Sequence, residues 1–178
     1  MQHGITPVEH LAPVRQRAMA CPALPTCGLA LSEAERIFPT FLNELEQTLE
    51  ELGLETEAPV VRITGCPNGC ARPYTAEIGL VGRSGDHYVI YLGGSHVGTR
   101  LGVAAADLVS LKDIIPTLRP VLLAFRAQRH PGEQFGDFCY RLGAEDVRRL
   151  IAQRTLQETS APVTTLMSER TQEVTSLA

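Results

Sequence analysis

A chain of 178 residues, 44% hydrophobic and 20% charged, has the length and composition of one globular domain with a real core. Its net charge of −4 excludes the basic footprint of a general nucleic-acid binder or of a protein that lies on anionic membranes. No apolar run reaches the roughly 18 residues a spanning helix needs, and residues 1–20 lack the pattern of a secretory signal, so the cytoplasm is the expected compartment and paired cysteines point to metal before disulfides.

Residues 1–13 read as an irregular lead-in, and Arg15 to Ala20 as a short strand entering "CPALPTC". Ser32 followed by Glu35 is a capping-box pattern that predicts a helix start, with Pro39 bending or restarting the helix. Phe41, Leu42, Leu45, Leu49 and Leu52 then recur at helical spacing, and Gly53 is the stop. "PVVRITG" (59–65) is a β-rich run ending at the second cysteine pair, and "AEIGLVG" and "HYVIYLGG" around "RSGD" predict a β-hairpin. Ser110 and Asp113 can cap another helix that buries Ile114, Ile115, Leu118, Leu122 and Phe125, with Pro116 and Pro120 making it start late or kink. A last helix is expected from Ala144 to Arg154, and residues 156–178, rich in Thr, Ser and Glu, as a disordered tail. The fold class is α+β, a sheet with packed helices.

Four of the five cysteines form two tight pairs, Cys21/Cys27 and Cys66/Cys70, each in a Pro/Gly-rich loop at the end of a β segment. Core packing explains such placement poorly. A structural zinc site normally uses two to four residues between knuckle cysteines, which the longer Cys21–Cys27 gap does not match. A cubane iron–sulfur cluster needs four converging thiolates and backbone N–H donors around the sulfurs. Gly28, Gly65 and Gly69 allow the close approach and positive φ of such loops, and Pro22 and Pro67 stiffen them. Spacing alone favours the cluster and leaves zinc and no metal open.

"ACPALPTCGLALSEAER" with "VVRITGCPNGCARPYTAEIGLVG", continued by "YLGGSHVGTRL" and "FGDFCYRLG", resembles the sulfite and nitrite reductase haemoproteins from about Arg15 to Gly143. The likeness is nearest to assimilatory sulfite reductases and leans to the ferredoxin-dependent branch. It implies a siroheme/4Fe–4S-binding domain over residues 14–155, a 4Fe–4S cluster ligated by Cys21, Cys27, Cys66 and Cys70, and Cys70 as the axial ligand of siroheme iron. It further implies six-electron reduction of sulfite (or nitrite in the sister enzymes), with ferredoxin or a flavoprotein as electron donor. Family members are considerably longer upstream of the first cysteine motif. The expectation is therefore a C-terminal portion that requires the missing N-terminal part for activity.

Around this centre, Asn68 can direct its amide at the cofactor or turn the loop, Arg72 can meet a siroheme carboxylate, and Thr26 and Thr64 can bond cluster sulfur or end strands. His3, His10, His87, His96 and His130 show no ligand spacing, and Cys139 reads as a buried small side chain. Arg126, Arg129, Arg141, Arg148, Arg149 and Arg154 form either a solvated face or a dock for an acidic ferredoxin. No nucleic-acid or membrane partner is expected.

Overall fold

The computed structural model describes residues 7–159. Five strands form one sheet in sequence order: β1 (Met19–Ala20), β2 (Val61–Thr64), β3 (Ile78–Ser84), β4 (His87–Leu92) and β5 (Val103–Ser110). The first three are parallel, and β3, β4 and β5 continue antiparallel. Side chains alternate across the sheet, so Val61, Ile63, Ile78, Leu80, Ile90 and Leu92 lie on the core face. Arg62, Val81, Arg83, Val89 and Tyr91 lie on the opposite, open face.

The helices are α1 (Pro13–Gln16), α2 (Phe38–Glu51), α3 (Leu111–Gln128), α4 (Phe135–Leu142) and α5 (Ala144–Thr159). Within α2, Phe38, Phe41, Leu42, Leu45 and Leu49 are buried, the stripe the sequence predicts. Gly53 ends it at φ +62°, its N–H donating to the Glu50 carbonyl and that of Leu54 to the Leu49 carbonyl, a Schellman closure. Both faces of the predicted hairpin form, joined at Gly85 and Asp86. Helix α3 buries the expected Ile114, Ile115, Leu118, Leu122 and Phe125 behind an N-cap at Ser110, whose hydroxyl donates to Asp113.

Four expectations need correction. Arg15 is not in a strand: Pro13–Gln16 forms a helical turn whose Arg15 pairs with Glu46 of α2, and the strand is only Met19–Ala20. No helix starts at Ser32, because its N–H donates to the Gly65 carbonyl and its hydroxyl to the His87 carbonyl. The helix begins at Phe38 instead, with Pro39 in the first turn, where a missing N–H costs nothing. Helix α3 starts without delay at Leu111, so the prolines lie inside it. The last helix runs to Thr159, past the expected tail boundary; residues 160–178 lie outside the described residues, as do residues 1–6 of the lead-in.

Strand β5 and helix α4 gave no clear sequence signal. The segment "VAAADLVS" is alanine-rich and weak in strand propensity. Pairing with β4 makes it a strand, with irregular register around Ile90. Helix α4 is held by a buried carboxylate. Glu77, 0% exposed, accepts hydrogen bonds from the Val60 N–H (2.8 Å) and the Gly136 N–H (2.8 Å), tying the start of β2 to the first turn of α4.

Replacing Glu77 by leucine leaves two buried N–H donors without acceptors, which costs about 1–3 kcal/mol each. Glu77→Leu is expected to lower unfolding free energy by about 2–6 kcal/mol in denaturant titration. A second expectation concerns the α3–α4 turn. Glu133 accepts two hydrogen bonds from Arg141 and one from the His130 N–H. Arg141 chiefly, opposed by burial and aided by the His130 N–H, lowers the Glu133 pKa to about 2. A depressed carboxylate contributes stability above its unfolded pKa and loses it as pH falls toward the folded value. Wild-type stability is therefore expected to fall between about pH 5 and pH 2 with a steeper slope than that of Glu133→Gln.

Candidate metal and cofactor site

Both cysteine loops leave the same end of neighbouring parallel strands. The chain after β1 crosses to β2 through α2 on the core face. The chain after β2 returns to β3 on the open face, through a 3₁₀ turn at Pro73–Thr75. Adjacent parallel strands whose connections diverge to opposite faces open a crevice at their carboxyl ends, the usual ligand position in such sheets.

The register Met19↔Arg62 and Ala20↔Ile63 sets the loops side by side. The Cys21 N–H donates to the Ile63 carbonyl at 3.1 Å, and the Gly65 N–H donates to Cys21 Sγ at 3.3 Å. A sulfur from the first loop is thus already bonded to the backbone of the second. The Gly65 carbonyl in turn accepts from the N–H groups of Leu31 (2.8 Å) and Ser32 (2.9 Å). A Cβ on Gly65 would collide with the Ser32 carbonyl and Ala23.

The second loop is fixed from the open face. The Tyr74 hydroxyl donates to the Pro67 carbonyl at 2.7 Å, and its ring meets Tyr91 edge-on at 5.0 Å. Burial, followed by the neighbouring Tyr91 and Cys66, raises the Tyr74 pKa and keeps the phenol a donor. Pro73 sits over Gly79 so closely that a Cβ there would strike its carbonyl, so only glycine lets this crossover lie flat on β3. Gly69 takes the positive φ (+69°) expected of the loop, whereas Gly28 has neither a positive φ nor a close neighbour.

The four cysteines differ in exposure: Cys21 and Cys66 are buried, Cys27 is intermediate and Cys70 is exposed. Among the described residues no three His, Cys, Asp or Glu side chains close on one single-ion position. A cubane spreads four thiolates over its corners, and it asks for thiol donors with backbone N–H groups turned to sulfur. The donor set and the Gly65 N–H on Cys21 Sγ fit such a group.

The residues flanking the cysteines take different parts. Thr64 is buried and its hydroxyl donates to the Cys66 carbonyl at 3.2 Å, so its proton holds the loop backbone and is not directed at sulfur. Asn68 and Thr26 are exposed at the loop tips. Arg72 is exposed, in the left-handed conformation (φ +56°), and its guanidinium lies against Gly98. The loop carrying Gly98 is anchored by Arg100, which donates to the Gly93 and Gly94 carbonyls, pairs with Asp137 of α4 at 2.7 Å and covers the Tyr140 ring.

Sequence reasoning passed over Arg62, Tyr74, Thr75 and Arg100. A lone arginine inside the apolar run "VVRITG" was the available signal for Arg62. Of the late arginines, Arg129, Arg141 and Arg149 form ion pairs with Glu57, Glu133 and Asp146, and Arg148 donates to the Ala104 carbonyl. The Arg154 side chain and His3 lie outside the described residues. Cys139 is buried, and burial and then Glu77 push its thiol pKa up, as suits a small core side chain.

Comparison with known proteins places this arrangement. A family model described as the nitrite and sulphite reductase 4Fe-4S domain matches residues 14–159. The sulfite reductase [NADPH] hemoprotein beta-component of Acidithiobacillus ferrooxidans is 53% identical over 79% of this chain and 25% of its own length. The sulfite reductase [ferredoxin] of Synechococcus elongatus is 48% identical over 82% of this chain and 23% of its own. The chain therefore spans about a quarter of these curated relatives. The solved structure of the Mycobacterium tuberculosis NirA protein superposes with a TM-score of 0.59 at 27% identity, over 76% of this chain and 27% of that one. With the domain matched over nearly all of its described length, the chain belongs to the nitrite and sulphite reductase 4Fe-4S domain family.

Proposed function

We propose that this chain is the part of an assimilatory sulfite reductase that holds a 4Fe–4S cluster and siroheme. Cys21, Cys27, Cys66 and Cys70 would hold the cluster, and Cys70 would also offer its thiolate to the siroheme iron. The observation that carries this reading is the graded exposure of the four thiols. Cys21 and Cys66 are buried, while Cys70 is exposed, so a second, larger group can reach it.

When bound, the cofactor pair supplies electron storage and an open iron position for the anion. The protein's own work is positional. The β1–β2 register fixes two loops before any cofactor arrives, the Gly65 N–H lowers the charge density on Cys21 Sγ, and Tyr74 pins the loop that carries Cys66 and Cys70. Arg72, two residues beyond Cys70, is exposed and can meet a siroheme carboxylate, and Asn68, exposed at the tip of the same loop, brings an amide that can donate to a bound group.

The substrate proposed for the complete enzyme is sulfite, the anion in the names of the relatives cited above, with nitrite, which the family description also names, as the alternative. Their names divide between NADPH and ferredoxin as electron source, so the donor of the complete enzyme is a flavoprotein or a ferredoxin. The segment supplies the cofactor ligands and requires the remainder of the longer enzyme to reduce sulfite. No helix among the described residues is long and apolar enough to cross a membrane, and the cytoplasm is the compartment that suits reduced thiols.

Anaerobic reconstitution with iron and sulfide, followed by titration with siroheme, tests the shared thiolate. The haem absorption bands are expected to shift on binding to the cluster-loaded chain and to revert to those of free siroheme in Cys70→Ser. Identical haem binding in Cys70→Ser contradicts the shared ligand. A cluster-loaded wild-type chain that takes no siroheme favours an iron–sulfur electron-transfer module instead.

A further inference from the structure

One pair of cations in the described structure lacks an acidic partner where its surroundings call for one. Arg62 projects from β2 onto the open face, beside Gly79, which offers no side chain to cover it. Its Nη1 donates to the Thr75 hydroxyl at 3.2 Å and, more weakly, to the Arg72 carbonyl at 3.5 Å. Its Nε is buried with no hydrogen-bond partner, and it is the one side-chain polar atom among the described residues in that condition. Burial chiefly, and then the nearby Arg72 charge, lower the Arg62 pKa.

Neither Arg62 nor Arg72 is in an ion pair among the described residues, although eight other arginines are: Arg15, Arg36, Arg83, Arg100, Arg119, Arg129, Arg141 and Arg149. Side chains that merely share a surface would turn apart. Here both have neighbours that keep them near the same turn. Arg72 is held in the left-handed conformation by its N–H to the Gly69 carbonyl (2.7 Å), and the Gly98 loop lies against its guanidinium. Thr75 fixes Arg62 from the same 3₁₀ turn. A buried donor without an acceptor costs about 1–3 kcal/mol, and an anion set between the two guanidiniums removes that cost and their mutual repulsion together.

We propose that Arg62 and Arg72 form a two-arginine seat for one carboxylate-like oxyanion beside Cys70. Guanidiniums present forked donors that match such an oxyanion bidentately, which an ammonium does not. Arg72 lies on the open-face crossover two residues from the exposed thiol, and Arg62 faces that crossover from β2, so the seat adjoins the loop that carries Cys70. Two sources offer this chemistry: a carboxylate of siroheme, or free sulfite. This inference rests on the proposed siroheme site and adds Arg62 to it as a binding residue.

The test uses the full chain, cluster-loaded, titrated by absorption with siroheme and by calorimetry with sulfite alone. Arg62→Gln and Arg72→Gln are each expected to weaken siroheme binding by about tenfold, the loss typical of one charge-assisted contact, with bound iron unchanged. Arg62→Lys is expected to recover little of it, because the fork is lost while the charge remains. If sulfite alone binds the wild type and is lost in Arg62→Gln, the oxyanion seat stands with the free anion as occupant. Unchanged affinity for both ligands in Arg62→Gln and Arg72→Gln overturns the seat, while a siroheme spectrum still dependent on Cys70 keeps the cofactor reading intact. A wild-type chain that binds neither siroheme nor sulfite overturns both.

Discussion

The hydrogen bond from the Gly65 N–H to Cys21 Sγ is where the two halves of the cysteine set first touch. It exists because β1, only two residues long, pairs in parallel with β2 at one register. A slip of one residue would turn Ala20 to the open face and move Cys21 away from Gly65. So short a strand cannot hold that register alone. It is locked by the Cys21 N–H on the Ile63 carbonyl and by Leu31 and Ser32 on the Gly65 carbonyl, a cross-brace that also reaches the β3–β4 hairpin through Gly85. The same brace draws Ser32 out of its expected role at a helix start.

The second dependence is topological. Parallel strands need a crossover, and most α/β proteins use a helix for it. Between β2 and β3 the crossover is the Cys66–Cys70 loop and one 3₁₀ turn, laid directly on the sheet over Gly79. This economy of chain brings Cys70, Arg72, Tyr74 and Thr75 onto the open face, while α2 and α3 cover the other side. Farther along the sheet that face carries a cleft of about 390 Å³ lined by Pro67, Tyr74, Tyr91, Arg83 and Arg148. Glu77 and Arg100 then fasten α4 and the Gly93–Arg100 loop around the site's rim.

Much of this was legible in the sequence, for physical reasons that differ by element. The stripe Phe41, Leu42, Leu45, Leu49 and the stop at Gly53 are local patterns, and local patterns survive folding. The hairpin around Gly85 is equally local. The paired cysteines in glycine- and proline-bearing loops named the candidate site through chemistry. What escaped depends on distant partners. Ser32 has a capping sequence, but carbonyls of Gly65 and His87 claim it. Strand β5 exists because β4 offers an edge, and Arg62 acquires meaning only beside Arg72 and Thr75. Gly28 shows the converse, a loop glycine that needs neither of the freedoms glycine provides.

The central claim is that two loops, set by a strand register, hold one cubane cluster through four named cysteines. Iron and acid-labile sulfide counts on the anaerobically reconstituted chain, read with Mössbauer spectra of the bound iron, test it most directly. The account predicts four irons and four sulfides per chain in a single valence-delocalised cluster, the composition of a cubane, with the count collapsing in Cys21→Ser. Zinc bound in place of iron, or an iron count that is the same in Cys21→Ser, would contradict it.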